Sequence, residues 1–468
     1  MTRPPAAARR PPSGRQPPST QPPPTHSRRH VPKRCTAHGT ALHGTARHRS
    51  KNRTPQPPEI PLMRKITIVG AGQAGLQLGI GLLSHGFDVT LVSNRTGDQI
   101  REGRVMSSQA MFGTALAHER NLGLDFWGDA CPPIAGLGVN IADGQGGRAL
   151  SFDARLEATA RSIDQRVKMP LWMGEFARRG GRLDLCEAGI EDLERYAAES
   201  DLVIVAAGKG EIAGLFERDA MRSPYDAPQR ALALAYVTGM AALPDRPGVS
   251  FNVIPGVGEY FTMPSLTTSG PCDIMFFEGI PGGPLDCFDG LTPHQQLAKF
   301  QELLRTYVPW EAERCTDVTL TDQNGTLAGR FAPTVRKPVA TLPSGAQVLG
   351  LADVVVLNDP ITGQGSNNAS KCAASYLATI LDHGERPYDA AFMELAFGRF
   401  WDNAQSATAW TNAMLGAPPQ HVLEIFGAAS ANPRIAARFV NGFDDPRDLF
   451  HWFMDPVAAK NYLTETGA

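Results

Sequence analysis

Six residues, Gly70-Ala71-Gly72-Gln73-Ala74-Gly75, have the types and spacing to hold a pyrophosphate. In a Gly-x-Gly-x-x-Gly turn, Gly70 permits the tight bend and Gly72 lets the backbone approach the phosphates. Gly75, with Gly79 one turn on, lets the following helix pack closely on its sheet. A helix starting there offers free N–H groups and partial positive charge. A second loop, Gly363-Gln364-Gly365, also opens onto a helix pattern and offers a second such N-terminus. It is no P-loop, because Lys371 falls inside the helix and no Gly-Lys-Ser/Thr occurs.

Both loops need a strand before them and a helix after them, and the surrounding residues supply these. Ile66, Ile68 and Val69 form a β-branched run suited to a strand buried on both faces. Leu76, Leu78, Leu82 and Leu83 predict a helix ended at His85-Gly86, and Val89, Leu91 and Val92 predict a second strand. This βαβ unit makes the first loop a dinucleotide site. The acid usual at the end of the second strand is replaced by Ser93-Asn94-Arg95. Asn94 can still bond a ribose hydroxyl and Arg95 can face a phosphate, so FAD and NAD(P) both stay open at this point. Later, Val348–Asp353 predicts a strand ending in an acid, ahead of the Gly363 loop. Ala369, Ala373, Leu377 and Ile380 then mark one helix face, closed by Gly384.

The rest of the chain frames these loops. Residues 1–62 hold 14 of the 38 prolines, 12 Lys/Arg and one acid, Glu59, without apolar periodicity. They read as a disordered basic extension, and Met63 as the natural start. Residues 63–468 then carry 33 basic and 46 acidic side chains, a net −13, which disfavours nucleic acid. No apolar run approaches the ~20 residues of a membrane span. Seven scattered cysteines without C-x-x-C spacing argue against a disulfide framework or a zinc site and for the cytoplasm. The histidines share no metal-ligand spacing either, so no metal is expected.

Residues 131–153 read as short strands, 164–180 as a helix, and Leu202–Val205 as an apolar strand ending in Ala206-Ala207-Gly208. Residues 225–335 alternate like a separate antiparallel sheet, and 385–468 like a helical region. The predicted division is a discontinuous dinucleotide domain (63–130, 165–224, 336–384), a substrate domain (131–164, 225–335) and the helical C-terminal region. No Ser-His-Asp set or paired carboxylate stands out.

Taken together, these motifs resemble a single-Rossmann flavoprotein monooxygenase of the p-hydroxybenzoate-hydroxylase-like α/β fold. More narrowly, the chain resembles the styrene/indole monooxygenase family. The likeness spans nearly all of residues 64–468. It rests on Gly70-Ala71-Gly72, Arg104, Ala207-Gly208-Lys209, Pro228-Gln229-Arg230-Ala231-Leu232, the Asp359–Asn367 loop and Trp410-Thr411-Asn412. The resemblance implies FAD as cofactor and O2 as co-substrate. Gly70, Gly72 and Gly75 would hold the pyrophosphate, with Asn94, Arg95, Ala207 and Gly208 nearby, and Asp353 the ribitol or pyrophosphate side. Pro360, Gly363, Gln364, Gly365 and Asn367 would lie along the isoalloxazine, with Arg104 close.

Single-component hydroxylases carry an Asp-Gly element where this chain has Gly208-Lys209-Gly210. That departure implies reduced FAD received from an NADH-dependent flavin reductase. The styrene branch carries Asn-x-Val-x-His where this chain has Ser107-Ser108-Gln109-Ala110-Met111, the indole pattern. Ile134 and Leu137 stand in place of Tyr and His, and Ala160 in place of Ser. The implied reaction is epoxidation of indole, a small aromatic substrate, by a flavin C4a-hydroperoxide in a dry apolar pocket, with styrene-type alkenes or sulfides also accepted. A homodimer is compatible with this reading. Alternatives are a single-component NAD(P)H-using hydroxylase and a non-catalytic flavin-binding protein.

Overall fold

The periodicities become elements in a computed structural model that describes residues 63–207, 210–243 and 248–468. The reading of residues 1–62 and the placement of Gly208 and Lys209 fall outside the described residues.

β1 (Lys65–Val69), α1 (Gln73–Leu83) and β2 (Asp88–Ser93) form the βαβ unit. All of α1 from Gln73 to Leu82 is buried, with Gln73 and Gln77 its only polar side chains. Its glycines admit the neighbours: a Cβ at Gly79 would lie 3.0 Å from the Phe176 ring, and one at Gly81 2.6 Å from Leu377. α2 (Gly97–Arg101) and α3 (Gly113–Asn121) follow. The chain then makes a hairpin of β3 (Pro133–Ala142) and β4 (Arg148–Arg161). It returns through α4 (Gln165–Arg178), β5 (Arg182–Leu185), α5 (Ile190–Glu199), β6 (Leu202–Val205) and the single turn α6 (Glu211–Gly214).

Four strands come next: β7 (Ala231–Thr238), β8 (Val249–Ile254), β9 (Gly258–Thr267) and β10 (Gly270–Gly279). α7 (Pro293–Tyr307) and α8 (Pro309–Ala312) precede β11 (Thr319–Leu320), β12 (Thr326–Gly329) and β13 (Thr334–Val335). β14 (Val339–Thr341), β15 (Gln347–Gly350) and β16 (Val356–Leu357) lead to α9 (Gln364–His383) and α10 (Ala390–Met414). The chain closes with α11 (Gln420–Ala431), α12 (Pro433–Asn441) and α13 (Pro456–Thr466).

The fold is α/β, with one Rossmann-type sheet and one larger, mostly antiparallel sheet. The first runs β14-β15-β6-β1-β2-β5, parallel except for β14. The second has eight strands, β11-β7-β10-β9-β8-β3-β4 with β12 also on β7. It is antiparallel except where β3 pairs parallel with β8. One core lies around the first sheet with α1, α4, α9 and the first half of α10. A second lies between one face of the larger sheet and the C-terminal helices, and a third under α7 on its other face. No helix among the described residues is long and apolar enough to cross a membrane.

Two expectations are corrected. Residues 131–153 belong to long strands of 10 and 14 residues rather than short ones. Register shifts at Gly136 and Ala142 let the hairpin bend while it continues. The strand before Asp353 ends at Gly350, not at the acid. Ala352 turns the chain with φ +54°, the only non-glycine at positive φ among the described residues, so Asp353 falls in a 3-10 turn beyond the sheet.

Gly75 and Gly72 should respond differently to alanine. A Cβ at Gly75 would sit 2.0 Å from the Gly70 carbonyl, whereas one at Gly72 meets nothing within 4 Å. Gly75→Ala is expected to lose about 1–3 kcal/mol of stability, and Gly72→Ala to stay within about 0.5 kcal/mol of wild type. Thermal unfolding of the two variants checks this; equal Tm values would contradict the packing.

Candidate active site

Two loops and two helix ends form an open cradle. Gly70, at φ +125°, presses on the end of β6, where a Cβ would approach the backbone of Ala206 at 2.7 Å and of Ala207 at 2.8 Å. Gly72 caps α1 and no side chain caps the helix, so its first N–H groups stay available. At the second loop, Asp359 accepts from the Ile361 N–H at 3.2 Å and opens the turn that starts at Pro360. Gly363, at φ +64°, caps α9, again without side-chain help. Cβ positions at Gly72, Gly363 and Gly365 all meet open space. Two uncapped helix N-termini beside open backbone fit a ligand with a pyrophosphate at one end and an electron-rich ring at the other.

The two helices are bolted together. Gln73 Nε2 donates to the Ser366 carbonyl at 3.3 Å, and Gln77 Nε2 to the Ser370 carbonyl at 3.0 Å. Residues four apart on α1 thus meet residues four apart on α9. The Gln73 amide is itself oriented: Lys168 Nζ donates to its Oε1 at 3.3 Å and also to Glu119. Lys168 and Glu119 are both fully buried, and the ammonium lies 4.8 Å over the Trp172 ring. Burial pushes the Glu119 carboxyl up in pKa, and Lys168 opposes that shift.

An apolar wall is built from the 107–112 segment and the larger sheet. Ile134 and Ala160 face each other in register across β3–β4, with Leu137 further along β3. All three are buried in a cluster with Ala110, Phe112, Leu234, Ile361 and Trp410. Asn367 ties this wall to the cradle. Its Nδ2 donates to the Ala110 and Gly363 carbonyls at 2.7 and 2.8 Å, and its Oδ1 accepts from the Phe112 N–H at 2.9 Å.

Other sequence-selected residues are placed differently. Met111, expected in the substrate pocket, packs with Ala115 and Leu116, and its sulfur accepts from Gln73 at 3.3 Å. Extended backbone alternates sides, so Met111 faces away from Ala110's cluster. Gln109 donates to the Ile163 carbonyl at 2.7 Å. Ser107 accepts from Gln165 Nε2 at 3.0 Å, and its carbonyl accepts from the Tyr236 hydroxyl at 3.0 Å. Asn94, Arg104 and Asp353 are exposed, and Arg95 reaches the Met106 sulfur at 3.0 Å. The Gln364 side chain is buried and donates to the Thr362 and Phe443 carbonyls, so the loop meets a ligand through backbone there. A groove of about 600 Å³ between α11 and the end of α13 contains none of these residues.

Sequence reading passed over Gln73, Gln165, Glu119 and Lys168. One signal was available: Lys168 is the lone cation in the apolar stretch Val167–Trp172.

The family model described as "Styrene monooxygenase A putative substrate binding domain" matches residues 208–314. The styrene monooxygenase StyA of Pseudomonas fluorescens is 31% identical over 405 residues, covering 84% of this chain and 96% of that protein. The chain belongs to the styrene monooxygenase family. StyA of a Pseudomonas sp is 30% identical with the same coverage. Among solved structures, the flavin-dependent brominase Bmp2 superposes with a TM-score of 0.61 at 15% identity, covering 86% of this chain and 99% of its own. The tetrameric 2-methyl-3-hydroxypyridine-5-carboxylic acid oxygenase gives 0.51 at 14%, covering 80% and 93%; these two share the fold. This styrene monooxygenase family member is a FAD-dependent enzyme with O2 as co-substrate, and the open cradle at Gly72, Gly363 and Gly365 fits FAD.

Removing Lys168 should separate stability from cofactor affinity. Lys168→Met strands a buried carboxyl and is expected to cost about 3–5 kcal/mol. Adding Glu119→Gln should restore most of the Tm. The weakened FAD binding, roughly tenfold or about 1.4 kcal/mol, should persist because Gln73 stays unanchored. Tm and FAD titration of the single and double variants test this. Full recovery of FAD affinity in the double variant would refute the anchoring role.

Proposed function

We propose that this enzyme is the oxygenase component of a two-component system. It takes reduced FAD from a separate NADH-dependent flavin reductase and epoxidises indole, with styrene-type alkenes and sulfides as further substrates. The observation that carries the reading is the buried apolar wall of Ile134, Leu137 and Ala160, joined through Asn367 to the Gly363 loop. That wall contains no nucleophile or general base. Such a surface suits an apolar ring whose double bond must be oriented rather than activated. Reduced FAD with O2 supplies an electrophilic oxygen. The chain's share is positional. The backbone of 363–365 and the two helix ends hold the cofactor. Ile134, Leu137 and Ala160 exclude water that would divert the oxygen to peroxide, and Ser107 and Gln109 support the 107–112 segment.

The Ser107, Gln109, Met111 pattern with Ile134 and Ala160 supports indole over styrene. Here Met111 acts on the cradle side through Gln73.

The test uses purified protein with indole, O2, FAD and NADH, with and without a generic flavin reductase. Indigo formed only with the reductase is expected. NAD(P)H consumption by the chain alone would overturn the two-component reading. Oxygenation of styrene but not indole would overturn the indole assignment.

A further inference from the structure

Two family-like stretches, Pro228–Leu232 and Trp410–Asn412, have no task in the site described so far. Both meet the opening of the 359–365 loop. The Thr411 hydroxyl bonds the Thr362 hydroxyl. The charge of Arg230 reaches Asp359, the acid that starts the loop. Asp359 is 1% exposed, and its carboxyl accepts from the Ile361 N–H at 3.2 Å. The turn Pro360–Thr362 follows, and then Gly363, beside which there is open space. A 3-10 turn rises about 2 Å per residue, so roughly 8 Å separates the backbone of Asp359 from that of Gly363.

Asp359 belongs to a buried group of one cation and three carboxyls, with Arg230, Glu259 and Glu278. Arg230 is committed to Glu259, onto which it forks at 2.7 and 2.9 Å, and it also donates to the Leu415 carbonyl at 3.3 Å. Glu278 stands opposite Glu259 across β9–β10. Neither of its carboxyl oxygens has a hydrogen-bond partner among the described residues. Burial, reinforced by the Asp359 and Glu259 carboxyls and opposed by Arg230, pushes the Glu278 pKa well up and keeps it neutral. That leaves Asp359 as the acid of the group that titrates near neutrality. Burial pushes it up to about 6, opposed by the Ile361 N–H and Arg230 and reinforced by Glu259. At neutral pH it is mostly ionised, and one further negative charge nearby is enough to protonate it.

We propose that Asp359 is a charge-tuning residue of the cofactor site: it takes up a proton from solvent when the anionic ring of reduced FAD settles on the 360–365 loop, and releases it once the ring is oxidised and neutral. The enzyme thereby tells the two redox states of FAD apart through a buried acid at charge–charge range rather than through a contact. Across roughly 8 Å of weakly screened interior, two like charges repel by enough to shift a pKa by about one unit. The inference rests on the reading that FAD arrives reduced and lies along this loop.

The test is equilibrium binding of oxidised FAD, and of chemically reduced FAD without oxygen, at about pH 5 and about pH 8. Asp359→Asn removes the charge and keeps a carbonyl oxygen for the Ile361 N–H. Asp359→Ser, whose hydroxyl can cap the same turn, is a second uncharged variant. At about pH 8 both variants are expected to bind reduced FAD about tenfold more tightly than wild type. At about pH 5, where wild-type Asp359 already carries the proton, they should match wild type within about twofold, as they should for oxidised FAD at either pH. Equal affinity of wild type and variants for reduced FAD at about pH 8 overturns the proposal. So does an equal loss of affinity for both redox states, which would make Asp359 a brace of the loop and nothing more. No reductase or aromatic substrate takes part, so this result and that of the indigo experiment are separate.

Discussion

The side-by-side placement of α1 and α9 is the constraint on which the site depends. Each ends at a glycine and each leaves its first N–H groups uncapped. Either helix alone would be an ordinary anion site. Held in register by the Gln73–Ser366 and Gln77–Ser370 bonds, they present two uncapped N-termini side by side. The buried Lys168–Glu119 pair is a poor source of net stability, since desolvation offsets most of its attraction. Its value lies in orientation: it settles which end of the Gln73 amide faces α9.

The substrate side depends on the same frame. Asn367 sits in the first turn of α9, and its side chain replaces a missing strand partner for Ala110 and Phe112. The wall formed by Ile134, Leu137 and Ala160 is therefore referenced to the loop that would contact the flavin ring. In a reaction governed by orientation and water exclusion, that shared reference matters more than any single polar side chain.

Much of this was legible in the sequence. The Gly70–Gly75 turn, the strands on both sides of it and the Gly363 loop are local signals, and local periodicity carries them. The side of the chain on which Met111 would fall was not, because alternation depends on where the extended segment starts and on the distant Arg161 it pairs with. The polar side chains of the frame were harder still. Lys168, Glu119 and Gln73 are far apart in the chain and meet only after three helices have packed. The extent of β3 was hidden by Gly136 and Gly138, which read as turns but lie within one continuous strand.

α10 gives the architecture a mechanical character. Over its 25 residues, about 37 Å, Phe392 to Ala404 belong to the core of the first sheet and Trp410 to the core of the second. One rod is thus set into both halves of the molecule. Any hinge between the two sheets would have to pull large side chains out of one core or the other. A change of packing in either core is therefore felt through the same beam in the other.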